Sequence, residues 1–315
     1  MKRMAAVLLM SLLCCRDSTG PRLGFINATL LTGELTRIDR AVATPQLQSL
    51  GSLALPLLNA GINVQHLSPT TLGRTMEWQP VLQTLDFTNR TGAPAGAMRV
   101  ILYANAGGRP VYPLAEIGYA DLYPHNSYNG GGPDSMSLRF VVTRGGGEVV
   151  ADFTAHSHVQ ATCQCATVEG WVSDGTTRVA FTVPYDIPLN GDGHFPGAFD
   201  VTASGTHFAH VGTLPGPNNT TATSQLSLTF AGDSIGSASL LRPHGGRLIG
   251  ESTIRVGGQP FASVHETADS LVMTGTGGRT LSGAEQGAVR ALLALPADID
   301  FYIEWPTFVI FFCGC

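Results

Sequence analysis

From Pro80 onward the chain repeats one pattern: a short run rich in Val, Ile, Thr and aromatic residues, then a break of Gly, Asn, Asp or Pro. The runs include "VLQTLDFTN", "AMRVILYAN", "SLRFVVTR", "EVVADFTAHSHVQ", "CATVEGWVS", "RVAFTVPY", "SQLSLTF", "RLIGESTIRV", "PFASVHET" and "SLVMTG". Residues of this type suit a pleated, half-buried surface, and the breaks supply turn conformations. In "RVAFTVPY", Val179, Phe181 and Val183 fall on one face of a strand, and Arg178, Ala180 and Thr182 on the other. "RGGG" (144–147), "SDGT" (173–176), "HGGR" (244–247) and "VGGQ" (256–259) read as hairpin turns, and "AFDVTASGTHFAHV" reads as one strand. The expected fold is all-β: an antiparallel meander forming a sandwich or a curled, barrel-like sheet.

Two stretches depart from the strand pattern. In "TPQLQSLGSLAL", Thr44 is placed to cap a helix with Pro45 at its first position, and Leu47, Leu50, Leu53 and Leu57 share a face. Pro56 is expected to stop it. Near the end, Ser282 and Glu285 have capping-box spacing before Ala288, Val289, Leu292 and Leu293, with Pro296 as the expected stop. The apolar ending "DFYIEWPTFVIFFCGC" reads as one or two buried strands. The expected division is an export signal at 1–14, a tether at 15–23, a partly helical segment at 24–79 and a β-rich domain at 80–315.

The first residues carry a different signal. Lys2 and Arg3 precede the apolar run Met4 to Leu13, a length that fits an export signal better than a membrane span. Cys14 and Cys15 follow, and Leu12 stands three residues before Cys15. This resembles the lipobox of bacterial lipoproteins, with Leu13 and Cys14 at positions where small residues are usual. The resemblance implies a chain that begins at a lipidated Cys15 and is anchored to a membrane in the cell envelope, each buried acyl CH₂ contributing roughly 0.8 kcal/mol. Arg16 rather than Asp follows Cys15, which leans toward the outer membrane. The implied anchor, the proline breaks and the lack of a closing aromatic residue argue against a transmembrane barrel.

Composition removes several function classes. Lys2 is the only lysine, so after its loss with the signal no P-loop, Schiff-base, protein-kinase or S-x-x-K chemistry remains. Removing Lys2 and Arg3 from 18 basic residues leaves 16 against 23 acidic, which is unsuited to nucleic acid. No cofactor is implied.

Four of the six cysteines lie in two C-x-C pairs. In strands, Cys163 and Cys165 face one way, as do Cys313 and Cys315. Antiparallel neighbours would pair 163 with 315 and 165 with 313; parallel neighbours would pair 163 with 313 and 165 with 315. The first bridge would close a loop of about 150 residues, worth roughly 4–5 kcal/mol. Oxidising compartments favour this structural reading. The alternative is a zinc or copper(I) site built from Cys163, Cys165, His156 and His158.

Other motifs imitate catalytic ones. "GDSIG" (232–236) has G-x-S-x-G form, with Ser234 as the would-be nucleophile and His265 and Asp269 as the nearest downstream partners. The same residues resemble the G-D-S block of the lipase-like GDSL hydrolases, but no D-x-x-H follows and no βα alternation is present. A turn between strands is the preferred account. Asn190, Asp192 and His194 carry too little charge for calcium, and His207 and His210 fall on opposite strand faces. Tyr123, His125 and Tyr128, on an expected glycine-rich loop at 123–134, are the favoured contact for a partner or ligand. The leading expectation is a non-catalytic envelope lipoprotein that binds a ligand or envelope protein, or serves envelope structure. A metal-binding envelope protein and a serine hydrolase rank second and third.

Overall fold

The computed structural model describes residues 22–23, 26–60, 67, 69–106, 109–125, 135–160, 163–188, 193–202, 204–214, 221–244, 247–267, 270–299 and 303. A small pair, β1 (Arg22–Leu23) and β2 (Ile26–Asn27), leads into two helices, α1 (Ala28–Val42) and α2 (Pro45–Asn59). The side chain of Asn27 caps α1 by accepting from the N–H groups of Thr29 and Leu30, at 3.0 and 3.2 Å. Thr44 caps α2, accepting from the Leu47 N–H at 3.3 Å, with Pro45 following. The Leu47, Leu50, Leu53 and Leu57 face is fully buried, as its spacing requires.

Two expected stops are overrun. Helix α2 continues past Pro56 to Asn59, and the C-terminal helix α3 (Gly283–Ile299) continues past Pro296. Both prolines lie near the helix end, where the missing N–H removes one backbone bond and burial of Leu57 and Ile299 favours another turn. The capping box of α3 forms as expected: the Ser282 N–H donates to Glu285 Oε2 at 2.8 Å, and the Glu285 N–H donates to Ser282 Oγ at 3.3 Å. Helix α1 was not foreseen from sequence.

The strands are β3 (Thr75–Gln79), β4 (Thr84–Thr88), β5 (Met98–Tyr103), β6 (Asn105–Ala106), β7 (Arg109–Pro110), β8 (Glu116–His125), β9 (Ser135–Arg144), β10 (Val149–Gln160), β11 (Cys163–Ser173), β12 (Arg178–Pro188), β13 (Gly193–Val201), β14 (Thr206–Leu214), β15 (Ala222–Phe230), β16 (Asp233–His244), β17 (Arg247–Val256), β18 (Gln259–Glu266) and β19 (Leu271–Gly275). Strands β6 and β7 pair apart. The other fifteen form one open sheet with β4 and β19 at its edges and no barrel closure. From β8 to β19 every strand pairs antiparallel with its neighbour in sequence, while β3 and β5 pair parallel. The fold is mostly β and a meander, as expected. The sheet already includes 75–79, before the expected start at 80.

"AFDVTASGTHFAHV" is not one strand: β13 ends at Val201 and β14 begins at Thr206, with Gly205 at φ +65°. "GDSIG" begins in a hairpin turn, since Ala231 and Gly232, both at positive φ, link β15 to β16. That backbone twist matches the strands it joins.

One face of the sheet carries the helices. Helix α1 packs against β11, β12 and α3, and α2 packs against β4, β5, β8 and β9. Hydrogen bonds fix the contacts: Gln46 Nε2 donates to the Ile117 carbonyl at 3.0 Å, and the Tyr103 N–H to Ser49 Oγ at 3.1 Å. Glu34, buried on α1, accepts from the hydroxyls of Ser204 and Thr206 and pairs with Arg37. A buried carboxylate needs such donors to offset its lost hydration.

On this inner face one register row crosses the sheet: Leu122, Phe140, Phe153, Gly170, Phe181, Phe199, Phe208, Leu228, Ile235 and Val256. The rings of Phe140 and Phe153 stack at 4.9 Å, and those of Phe199 and Phe208 at 4.6 Å. Phe153 and Phe181 are two strands apart, yet their centroids are 6.0 Å apart, because the residue between them is Gly170. A Cβ there would lie 2.3 Å from the Asp152 carbonyl oxygen and 2.4 Å from Phe153 Cα. Such aromatic pairs contribute about 0.5–1.5 kcal/mol each beyond area burial.

Gly170→Val forces backbone to move and separates these rings. It should destabilise the protein by about 3 kcal/mol or more in urea unfolding. Gly236→Ala is the control, because its added Cβ would meet only the Leu226 carbonyl oxygen, at an ordinary 3.7 Å. Equal midpoints for the two variants would refute this account of Gly170.

Candidate functional site

The alternation that buries the phenylalanines places polar and small residues on the opposite, outward face. Register aligns them in two adjacent rows. One runs Asp152, Trp171, Ala180, Asp200, His207, Thr229, Ser234; the other runs Tyr123, Arg139, Thr154, Glu169, Thr182, Ala198, Ala209, Ser227. The alanines form a low floor between larger side chains. A shallow trough of about 580 Å³ runs from Arg139 past Trp171 to Asp200, and a second of about 400 Å³ continues past His207 to Ser234. Both are lined by Ala198 and Asp200, so together they cross from β9 to β16.

The charges along the trough are paired. Arg139 holds Asp152 through two hydrogen bonds, Nε to Oδ1 at 2.8 Å and Nη2 to Oδ2 at 2.7 Å. This bonding raises the guanidinium pKa above its ordinary value. Arg178 stacks on the Trp171 ring, 4.0 Å from its centroid. His207 Nδ1 bonds the Asp200 carboxylate, and His156 Nε2 lies 3.8 Å from Glu169 Oε1. Both members of the Asp200–His207 pair are more than half exposed.

Several sequence-selected residues meet this surface. Tyr123 ends one row, with Arg139 5.9 Å from its ring centroid. It and His125 belong to strand β8 rather than to a loop, which corrects the expected loop at 123–134; Tyr128 lies outside the described residues. Ser234 is on β16, but His265 is on β18, paired with Glu251, which pairs with Leu240. Six strand residues therefore separate Ser234 from the His265 row, about 20 Å along the sheet. Asp269 lies outside the described residues. The histidine that shares a row with Ser234 is His207, but Thr229 stands between them on β15. The serine-hydrolase reading loses His265 as its partner.

His156 and His158 lie on β10, and Cys163 and Cys165 open β11, with His158 opposite Cys165 and Gln160 opposite Cys163. Among the described residues, no three His, Cys, Asp or Glu side chains gather as metal ligands. Cys15, Cys313 and Cys315 lie outside the described residues, as do Asn190 and Asp192; His194 begins β13 with Gly193. Among the described residues, no helix is long and apolar enough to cross a membrane.

His207 and His210 point to opposite faces, as expected. His210 is buried on the inner face, its Nε2 3.1 Å from Ser224 Oγ. Sequence reasoning missed Arg139, Asp152, Trp171 and Asp200. The signal for Asp200 was present: a turn recognised at "TASG" makes Asp200 and His207 cross-strand partners by counting. Compared with protein-family models, curated proteins and solved structures, the chain matches none.

Burial lowers the His210 pKa from 6.5 to about 4. The unfolded chain therefore binds this proton at higher pH than the folded one. The stability contribution is complete above pH 6.5 and is lost as pH falls toward 4, amounting to about 3 kcal/mol over that window. Unfolding midpoints measured across it should fall more steeply for the native chain than for His210→Gln. Parallel profiles would refute the assignment.

Proposed function

We propose that this chain is an exported, lipid-anchored, non-catalytic binding protein of the cell envelope, and that the outward face of its sheet is the binding surface. One observation carries the binding part: helices cover one sheet face, while the other bears a continuous polar trough across eight strands. Surface hydrophobics elsewhere are scattered, but here paired charges, an indole and hydroxyls converge along two rows. Such convergence on a rigid sheet suits recognition, since the side chains are held by register rather than by loops. The anchor rests on the lipobox-like segment ending at Cys15, and the envelope assignment follows from it.

In this reading Cys163 and Cys165 bridge to Cys313 and Cys315 and tie the C-terminal segment to β11. A second reading, a metal site at the same end of β10 and β11, is favoured by the register that sets His158 opposite Cys165.

Fractionation and intact mass test both parts. The native chain should pellet with membranes and carry acyl mass, and Cys15→Ser should release it to the soluble fraction. Mass after denaturing alkylation without reductant should show four blocked thiols that reduction frees. A pelleted but unacylated chain would refute the anchor. Four free thiols with stoichiometric zinc or copper would replace the disulfide reading with the metal one.

A further inference from the structure

Resting on the binding role proposed above, we infer that the outward trough takes a linear, uncharged oligosaccharide, with a sugar ring against Trp171. Its dimensions point to a chain. Eight strands at about 4.8 Å spacing give a trough about 34 Å long, room for several sugar units, while its shallowness suits a ligand that lies along a surface.

Chemistry narrows the class. An anionic ligand would need cations free to turn toward it, yet Arg139 is held bidentately by Asp152 and Arg178 lies stacked on Trp171, with Glu169 and Asp200 also facing the trough. An apolar ligand would find only Trp171 and the small alanines against exposed carboxylates and hydroxyls. A cationic peptide would meet carboxylates, but Asp152 is bonded to Arg139, Asp200 to His207, and Glu169 lies 3.8 Å from His156 Nε2.

A polyol fits what remains. Carboxylate oxygens keep lone pairs beyond those their partners use, and two of the five Arg139 N–H groups are taken by Asp152. Thr154, Thr182, Ser227, Thr229 and Ser234 offer hydroxyls that both donate and accept. Arg178 covers one face of the indole and limits its movement, and the part of Trp171 that lines the trough supplies an apolar surface for the C–H face of a sugar ring. Ala180 beside Trp171 and Ala198 farther along leave the floor low enough for a ring to settle.

The test uses the full chain with its own cysteines. Cellohexaose, maltohexaose and chitohexaose serve as neutral probes, with deca-lysine and hexagalacturonate as charged ones, followed by calorimetry and tryptophan fluorescence. At least one neutral hexaose should bind with an affinity that salt leaves unchanged, unlike a charge-driven contact. Trp171→Ala should weaken it about tenfold or more, and Ala198→Arg, which fills the exposed floor two strands away from Trp171, should abolish it. Both variants should keep the native circular dichroism and melting temperature. No binding by any neutral hexaose, or binding indifferent to both substitutions, overturns the sugar assignment. Deca-lysine binding that Ala198→Arg abolishes would overturn it too, while leaving the outward face as a binding surface.

Discussion

The apolar row from Leu122 to Val256 is the constraint on which the rest of the architecture depends. Side chains alternate between faces with a period of two, so a one-residue slip in β9, β10, β12, β13 or β14 would turn its phenylalanine outward. Burial of each such ring contributes about 1.5–3 kcal/mol, which penalises a slipped strand strongly. Gly170 belongs to the same device, because it lets the row stay continuous where a side chain would part Phe153 from Phe181. The outward rows are the complement of this lock. Asp152, Trp171, Ala180, Asp200 and His207 stand side by side because their inward neighbours are fixed.

The helices position the site from beneath. Helix α1 lies under β11 and β12, the strands that carry Trp171 and Arg178. Its Glu34 reaches the turn between β13 and β14, where Ser204 and Thr206 donate to it. That turn sets the relation of Asp200 to His207 on the other face. A buried carboxylate would be costly in such a core if unpaired, and three polar neighbours offset the cost. It ties a helix to the hairpin whose outer side bears the His–Asp pair.

Most strands were legible because local preference and turn chemistry agreed. The glycine turns at 144–147 and 256–259 separate runs of β-formers, and pairing of sequence neighbours needs no further information. The misreadings share a cause. "TASG" offers a single glycine within a strongly β-forming context, so its turn signal was outweighed by the residues on either side. Strand β8 went unseen because Gly118 and Pro124 interrupt "EIGYADLYPH". Helix α1 contains three threonines and a glycine, and its stability comes from burying Leu31, Leu35 and Ile38 rather than from propensity. The trough could not be read from a single segment, since its residues become neighbours only after eight strands are aligned. Tyr123 was singled out for its aromatic character and does end one of the rows, though on a strand.

The order of pairing also bears on how the chain reaches this state. From β8 to β19 each strand needs only the one before it, so each step closes a short loop at little entropic cost. Contact between α1 and α3 is different, joining helices at opposite ends of the sheet's sequence. Their docking cannot precede synthesis of all the strands that lie between them. The sheet can therefore grow one hairpin at a time as the polypeptide is delivered, whereas the two helices meet late. A chain cut before α3 can zip its hairpins and still leave bare the surface of α1 that α3 covers.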